Sequence, residues 1–136
     1  MPEGLEKQLK PQEIADLYDQ APCGYHSLAP DGTILAVNQT ELKLLGYRRE
    51  DYLGRPFRQF LAAHSRAAVK EALPGFQGSG QVRDLEVDMI CQDGSVLPVM
   101  IGADLVRDGR QQFAFCRAIM VDNRERKARE RQIEEM

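Results

Sequence analysis

The chain has 136 residues, of which 43% are hydrophobic, so it holds enough material for the core of one small domain. Its 18 basic and 21 acidic side chains are spread along the sequence and leave a net charge of -3, which argues against nucleic-acid binding. No apolar run approaches the roughly 20 residues that span a bilayer, and the start lacks a signal-peptide pattern, so we expect a cytoplasmic protein without a membrane segment. The cysteines, Cys23, Cys91 and Cys116, lack Cys-x-x-Cys spacing and are expected to be reduced core thiols.

A short amphipathic helix is predicted near the N-terminus, over residues 12–19. Ile14, Leu17 and Tyr18 recur there at the spacing that places side chains on one helix face. We expect this face to pack on the domain or on a second copy of the chain. Residues 1–21 are therefore predicted to form an N-terminal cap.

Three Asp-Gly pairs, at positions 31, 93 and 108, predict three β-hairpins. The first hairpin joins residues 24–28 to 33–37, the second joins 85–91 to 96–101, and the third leads into 113–119. Pro98 lies within one of these strands and lacks an N–H, so it fits only at an edge or a bulge.

Helical signals fill the stretch between the first hairpin and the later strands. Asn38 is predicted to cap a short helix, with Glu41 three positions on as the partner of a capping box and Gly46 as the stop. A second short helix over residues 49–53 is predicted to end at Gly54.

A longer helix is predicted to begin at Ser65 and to end at Pro74 and Gly75. The glycines that follow, up to Gly80, predict a loop that enters the next strand.

The C-terminal segment, residues 122–136, is dominated by charge. Ten of its fifteen residues are charged, five of each sign, which predicts a solvated helix that cannot bury a face alone. Its end suggests that the chain continues in a longer protein.

Several motifs in order resemble positions typical of bacterial PAS domains. These are Ala-Pro-Cys-Gly-Tyr at 21–25, Pro-Asp-Gly-Thr-Ile at 30–34, Asn38, the run from Leu45 to Arg55, and Asp-Asn-Arg-Glu-Arg-Lys at 122–127. The last of these is similar to the Asp-Ile-Thr-Glu-Arg-Lys signature at the end of such domains, from which Asn123 and Arg124 depart. The resemblance covers residues 12–136.

The resemblance implies an α+β fold, in which a five-stranded antiparallel sheet carries short helices on one face, with flanking helices at both ends. It assigns residues 22–121 to the PAS domain and residues 122–136 to the start of a C-terminal signalling helix that links to an effector. The fold alone does not say whether its interior holds a ligand.

A flavin of the light-oxygen-voltage (LOV) type is disfavoured. Phe57 stands where such relatives carry the adduct-forming cysteine, and an aromatic ring cannot act as that nucleophile. The positions of the flavin-binding amides fall on Met89, Val99 and Met120, which would leave the polar edge of the ring unpaired at about 1–3 kcal/mol for each group.

Haem and metal binding are also disfavoured. The haem-ligating histidine position of some PAS oxygen sensors falls on Val69, and His64 is expected to be partly exposed at a helix start. His26 is expected to lie on the surface or at the edge of the core. No His, Asp and Cys cluster has the spacing of metal ligands.

The positions of polar cofactor contacts in relatives are apolar here, which leaves two interpretations open. The residues fill the domain's own core, or they line a pocket for a small apolar ligand. The set is Phe57, Leu61, Val69, Met89, Val99 and Met120.

The resemblance implies a sensory or regulatory module that acts on a downstream effector, such as a histidine kinase or a diguanylate cyclase. We expect Asp122 to relay a change in the core to the C-terminal helix of a homodimer formed through the terminal helices. A ligand-free dimerisation module is the alternative. A small enzyme, with Tyr25, His26 and Asp31 as the nearest candidate residues, is disfavoured.

Overall fold

The computed structural model describes residues 8–135. Its helices are α1 (Pro11–Asp19), α2 (Gln39–Leu45), α3 (Arg49–Tyr52), a 3₁₀ helix (Phe57–Phe60), α4 (Ala63–Ser79) and α5 (Arg124–Glu134). Its strands are β1 (Gly24–Leu28), β2 (Ile34–Val37), β3 (Gln81–Ile90), β4 (Val96–Arg107) and β5 (Phe113–Asp122). Within residues 8–135, no helix is long and apolar enough to cross a bilayer.

The five strands form one antiparallel sheet in the order β2-β1-β5-β4-β3. The three predicted Asp-Gly turns join β1 to β2, β3 to β4, and β4 to β5. Helices α2 to α4 cover the inner face of this sheet, as the resemblance implied, and enclose the apolar core. The predicted α+β fold is therefore confirmed.

Helix α2 begins and ends as predicted. The Asn38 side chain accepts a hydrogen bond from the Glu41 N–H, and Gly46 ends the helix with a φ of 85°. Gly54, which follows α3, also has a positive φ of 78°, a conformation that strains any residue with a Cβ.

The predicted boundaries of the longer helix were wrong. Helix α4 begins at Ala63 and continues through Pro74 to Ser79, so Gly75 lies in the helix and not in a loop. The Ser65 hydroxyl does not cap it and accepts the Asp88 N–H at 2.8 Å. The helix continues past Pro74 because Phe76 is buried against Phe113, and this packing offsets the lost hydrogen bond.

Pro98 lies in the interior strand β4, where a missing N–H would normally break a ladder. Its carbonyl accepts the Asn123 N–H at 2.9 Å, so the carbonyl of Pro98 points towards β5. The missing N–H of Pro98 lies on the same side, and there it faces the residue after the end of β5 at Asp122. The carbonyl of Asn123 instead accepts a hydrogen bond from the Lys127 N–H of α5, at 3.0 Å. The proline therefore fits without an unpaired backbone group opposite it.

Helix α1 packs on the domain through one end only. The ring of Tyr18 stacks on Tyr25 with centroids 5.8 Å apart, whereas Ile14 and Leu17 are 54% and 62% exposed. The three cysteines are free thiols, but only Cys116 is fully buried.

Candidate functional site: a cavity beside a buried polar cluster

One end of the inner sheet face borders a cavity of about 440 Å³. This volume lies within the range of roughly 300–1,000 Å³ that is usual for ligand pockets. Its lining is mainly apolar, with charged side chains from Asp31, Arg58, Arg66 and Lys70, which are exposed overall. The apolar wall includes Leu28, Phe57, Leu61, Val69, Phe76, Leu85, Ile101, Cys116 and Ala118.

The six candidate lining residues divide into two groups. Phe57, Leu61 and Val69 line the cavity. Met89, Val99 and Met120 do not line it, and each is completely buried in the apolar core.

The boundary between the cavity wall and the solid core crosses the strands of the sheet. On β4, Ile101 and Ala103 line the cavity, while Leu97 and Val99 lie in the solid core. On β5, Ala118 lines the cavity and the chain then runs towards the core and the C-terminal helix.

The expectation that His26 lies at the surface or at the core edge was wrong. His26 is 2% exposed, lines the cavity and stacks on Phe57, with ring centroids 4.6 Å apart. Its Nδ1 lies 2.8 Å from Oε1 of Glu41, which is completely buried. A short polar pair therefore stands in the wall between the cavity and the core.

Glu41 does not complete the predicted capping box, because its carboxylate turns into the protein. Besides the contact with His26, its Oε2 accepts the hydroxyl of Tyr52 at 2.7 Å. The missing side chain of Gly24 makes room for this, since a Cβ there would lie 2.9 Å from Glu41 Cβ and Oε1. Burial, followed by the charge of Glu41 and this hydrogen bond, raises the pKa of Tyr52 well above 10.0.

Asn38 connects this cluster to α1. Its Oδ1 accepts the N–H groups of Tyr25 at 2.8 Å and Glu41 at 3.1 Å, and its Nδ2 donates to the carbonyls of Tyr18 at 2.8 Å and Cys23 at 3.1 Å. One buried amide therefore holds the ends of α1, β1 and α2 together.

Asp122 lies at the junction of β5 and α5 and is mainly exposed. Its Oδ1 accepts the backbone N–H of Arg124 at 2.9 Å, and its carboxylate pairs with the Arg124 guanidinium at 2.6 Å. These hydrogen bonds from Arg124 lower the pKa of Asp122 below 3.8. The interaction is local to the first turn of α5.

Asn123, which departs from the family signature, is the buried residue of the junction. Its Nδ2 donates to Oε1 of Glu86 on β3 at 3.1 Å, and Lys127 Nζ lies 3.1 Å from the same oxygen. The hydrogen bond from Lys127 lowers the pKa of Glu86. Sequence reasoning missed this anchor because β3 and α5 are far apart in the chain.

The three residues considered for an enzyme do not form one cluster, although His26 and Asp31 both border the cavity. Tyr25 faces a groove on the opposite side of the sheet from His26, and Asp31 is an exposed turn residue whose carboxylate accepts the Thr33 N–H at 2.9 Å. His64 is exposed at the start of α4, as predicted, and pairs with Asp88 at 2.6 Å. In the part of the chain that the structure describes, no three His, Cys, Asp or Glu residues form a cluster able to hold a metal ion.

A five-stranded antiparallel sheet with short helices on one face and a helix after its last strand is the architecture of a PAS domain. The sequence matches the PAS domain family over residues 22–125. This chain belongs to the PAS domain family.

The chain is similar to part of a bacterial phosphatase. It is 24% identical over 116 residues to the phosphoserine phosphatase RsbP of Bacillus subtilis, covering 85% of this chain and 28% of that protein. The chain thus spans only about a quarter of that relative.

Two solved structures share the fold. The PAS domain of a Colwellia psychrerythraea protein has a TM-score of 0.74 at 17% identity, covering 82% of this chain and 94% of that one. A domain of a sensory box sensor histidine kinase/response regulator from Geobacter sulfurreducens has a TM-score of 0.67 at 22% identity, covering 82% and 92%.

Proposed function

We propose that this PAS domain senses the occupancy or packing of its cavity and transmits the change along β5 to α5. The observation that carries the proposal is that β5 contributes Cys116 and Ala118 to the cavity wall and ends at Asp122, beside α5. A ligand that displaces this wall would shift the same strand that positions the helix. The proposed signal therefore needs no contact between the ligand and α5.

The proposed switch is a change in the few polar contacts that hold α5 at the junction. Asp122 binds the first turn of the helix, and Glu86 on β3 binds Asn123 and Lys127. Exposed ion pairs contribute about 0–1 kcal/mol each, so a modest shift of β5 is enough to change their balance. Asp122 is proposed as the relay residue on this ground.

We propose that the domain acts as a homodimer through its terminal helices. Ile14 and Leu17 on α1 and Ile133 on α5 are apolar and at least half exposed, at 54%, 62% and 69%. A second chain would remove these side chains from water, which is favourable by about 25 cal/mol per Å² of apolar area. A ligand-free dimerisation module is the alternative that the same exposed residues favour.

The proposed partner within the whole protein is a signalling enzyme, such as a histidine kinase or a diguanylate cyclase. The similarity to a domain of the Geobacter sensor histidine kinase supports the first, and the similarity to RsbP adds a phosphatase. The catalytic residues would lie in that effector and not in this domain. The three free thiols support the cytoplasm as its location. The absence of LOV-type flavin and of haem remains a prediction.

Replacing Asp122 by Ala in the complete protein tests the relay. We expect Asp122→Ala to shift the dose dependence of the output, because the first turn of α5 loses its contact with β5. Asp108→Ala is the matched control, since Asp108 also accepts nearby N–H groups but lies in the β4–β5 turn. Unchanged output and unchanged dose dependence in Asp122→Ala would count against the proposal.

A further inference from the structure

One ring nitrogen of His26 forms no hydrogen bond within the buried cluster. Nδ1 is occupied by Glu41 at 2.8 Å, but Nε2 has no hydrogen-bond partner among residues 8–135. Among the residues of 8–135 that are not exposed, every side-chain nitrogen or oxygen that is completely covered has a hydrogen-bond partner. Nε2 must therefore retain some accessible surface, and the cavity is the space that His26 lines.

The ring cannot easily turn away to find another partner. Its Nδ1 is held by Glu41, and its face is stacked on Phe57 with ring centroids 4.6 Å apart. An entirely apolar occupant would displace water from Nε2 and leave this nitrogen unpaired, which is unfavourable. A well-matched occupant therefore carries one hydrogen-bonding group at this place and is otherwise apolar.

The chemistry of the cluster limits what this group can be. The Glu41 carboxylate already accepts the Tyr52 hydroxyl and lies 2.8 Å from Nδ1 of His26, so a ligand carboxylate beside His26 would place a second anion near a buried one. A hydroxyl avoids this repulsion. A hydroxyl both donates and accepts, so it can pair with Nε2 whether or not that nitrogen carries a proton.

We propose that the cavity binds a small, largely apolar alcohol or phenol whose hydroxyl forms a hydrogen bond with Nε2 of His26. This inference rests on the sensory function proposed above and names the class of its signal. It also assigns His26 as the residue that selects the ligand. Because His26 pairs with Ala118 on β5, the bound hydroxyl would lie beside the strand that leads to α5.

The test compares 2-naphthol with 2-methylnaphthalene, which has the same rings and no hydroxyl, by titration of the 136-residue chain. His26→Asn is the test variant, because the amide nitrogen of Asn can take the place of Nδ1 while no atom takes the place of Nε2. We expect the preference for 2-naphthol over 2-methylnaphthalene to be about tenfold greater in the wild type than in His26→Asn. Equal preferences would overturn the inference, as would failure of 2-naphthol to bind the wild type.

Two further measurements keep the test independent of the folding of His26→Asn. In the wild type, the ¹⁵N resonance of Nε2 should shift with 2-naphthol and not with 2-methylnaphthalene; an unmoved resonance would overturn the inference. Val69→Phe, which places a ring in the cavity, should abolish 2-naphthol binding, whereas Ala67→Phe on the exposed side of α4 should not. Binding that survives Val69→Phe lies elsewhere and also contradicts the inference.

Failure of this inference can be distinguished from failure of the sensory function. If both naphthalenes bind without a hydroxyl preference, the inference is wrong, while the Asp122→Ala test still decides the relay. If the preference is found but Asp122→Ala leaves the output unchanged, the cavity binds its ligand and the proposed relay is wrong.

Discussion

The Glu41 carboxylate lies 2.8 Å from Nδ1 of His26, and both side chains are almost fully removed from water. A buried ion of this kind is tolerated only when hydrogen bonds replace its hydration, and Tyr52 provides the second of these bonds. The pair separates the cavity from the solid core, so its integrity determines the shape of the site.

Removing the carboxylate is expected to be strongly destabilising. Glu41→Leu leaves His26 and the Tyr52 hydroxyl without their partner, and we expect it to lower the free energy of unfolding by about 3–5 kcal/mol. Glu50→Leu on the exposed face of α3 is the control and should change it little. Urea unfolding followed by circular dichroism measures both. A loss in Glu41→Leu no larger than that in Glu50→Leu would contradict this account of the cluster.

The raised pKa of Tyr52 predicts a specific loss of stability in alkali. The folded protein holds the phenol proton more tightly than the unfolded chain, whose tyrosines titrate near 10.0. The stabilisation is therefore fully present below pH 10 and declines above it, by at most about 1.4 kcal/mol per pH unit. The stability difference between wild type and Tyr52→Phe should be constant from pH 7 to about 9 and shrink above about 10. A difference that is constant to pH 11 would refute the assignment.

The amide of Asn38 is predicted to hold α1 on the domain. In Asn38→Asp, the carboxylate keeps the bonds from Tyr25 and Glu41 but faces the carbonyls of Tyr18 and Cys23 with an acceptor in place of a donor. We expect a loss of about 1–3 kcal/mol and faster hydrogen exchange throughout α1, with α2 still capped. Exchange that rises equally in α1 and α2 would instead indicate that the cap itself is lost.

Local signals predicted the frame of this fold well. The Asp-Gly pairs at 31, 93 and 108 each mark a hairpin. Gly32 and Gly94 take the positive φ in the first two turns, whereas Gln111 takes it in the third. Asn38 and Gly46 likewise delimit α2 through bonds within a few residues.

Features that depend on distant residues were missed. Glu41 fits a capping box locally, yet the space above Gly24 and the hydroxyl of Tyr52 draw its carboxylate inside. Pro74 reads as a helix end, yet the burial of Phe76 sustains the helix. In both cases tertiary packing overrides a local preference that is worth only about 1–3 kcal/mol.

Dimerisation through α1 predicts a clear dependence on its exposed apolar face. Replacing Ile14 and Leu17 together by Glu should lower the mass measured by light scattering from that of two chains to that of one. Gln12→Glu with Gln20→Glu adds the same charge away from this face and should leave the mass unchanged. A mass that both double variants share with the wild type would exclude α1 from the interface.

Hydrogen exchange of α5 in a cavity-filled variant tests the coupling between cavity and helix most directly. Val69→Phe places a ring in the cavity, and Ala67→Phe adds the same ring on the exposed side of α4. We predict that hydrogen exchange at residues 127–133 is at least about threefold faster in Val69→Phe than in the wild type and unchanged in Ala67→Phe. The faster exchange should be lost when Asp122→Ala is added to Val69→Phe. Exchange in α5 that stays at the wild-type rate, while Val69→Phe has lost the binding of 2-naphthol, would contradict the coupling.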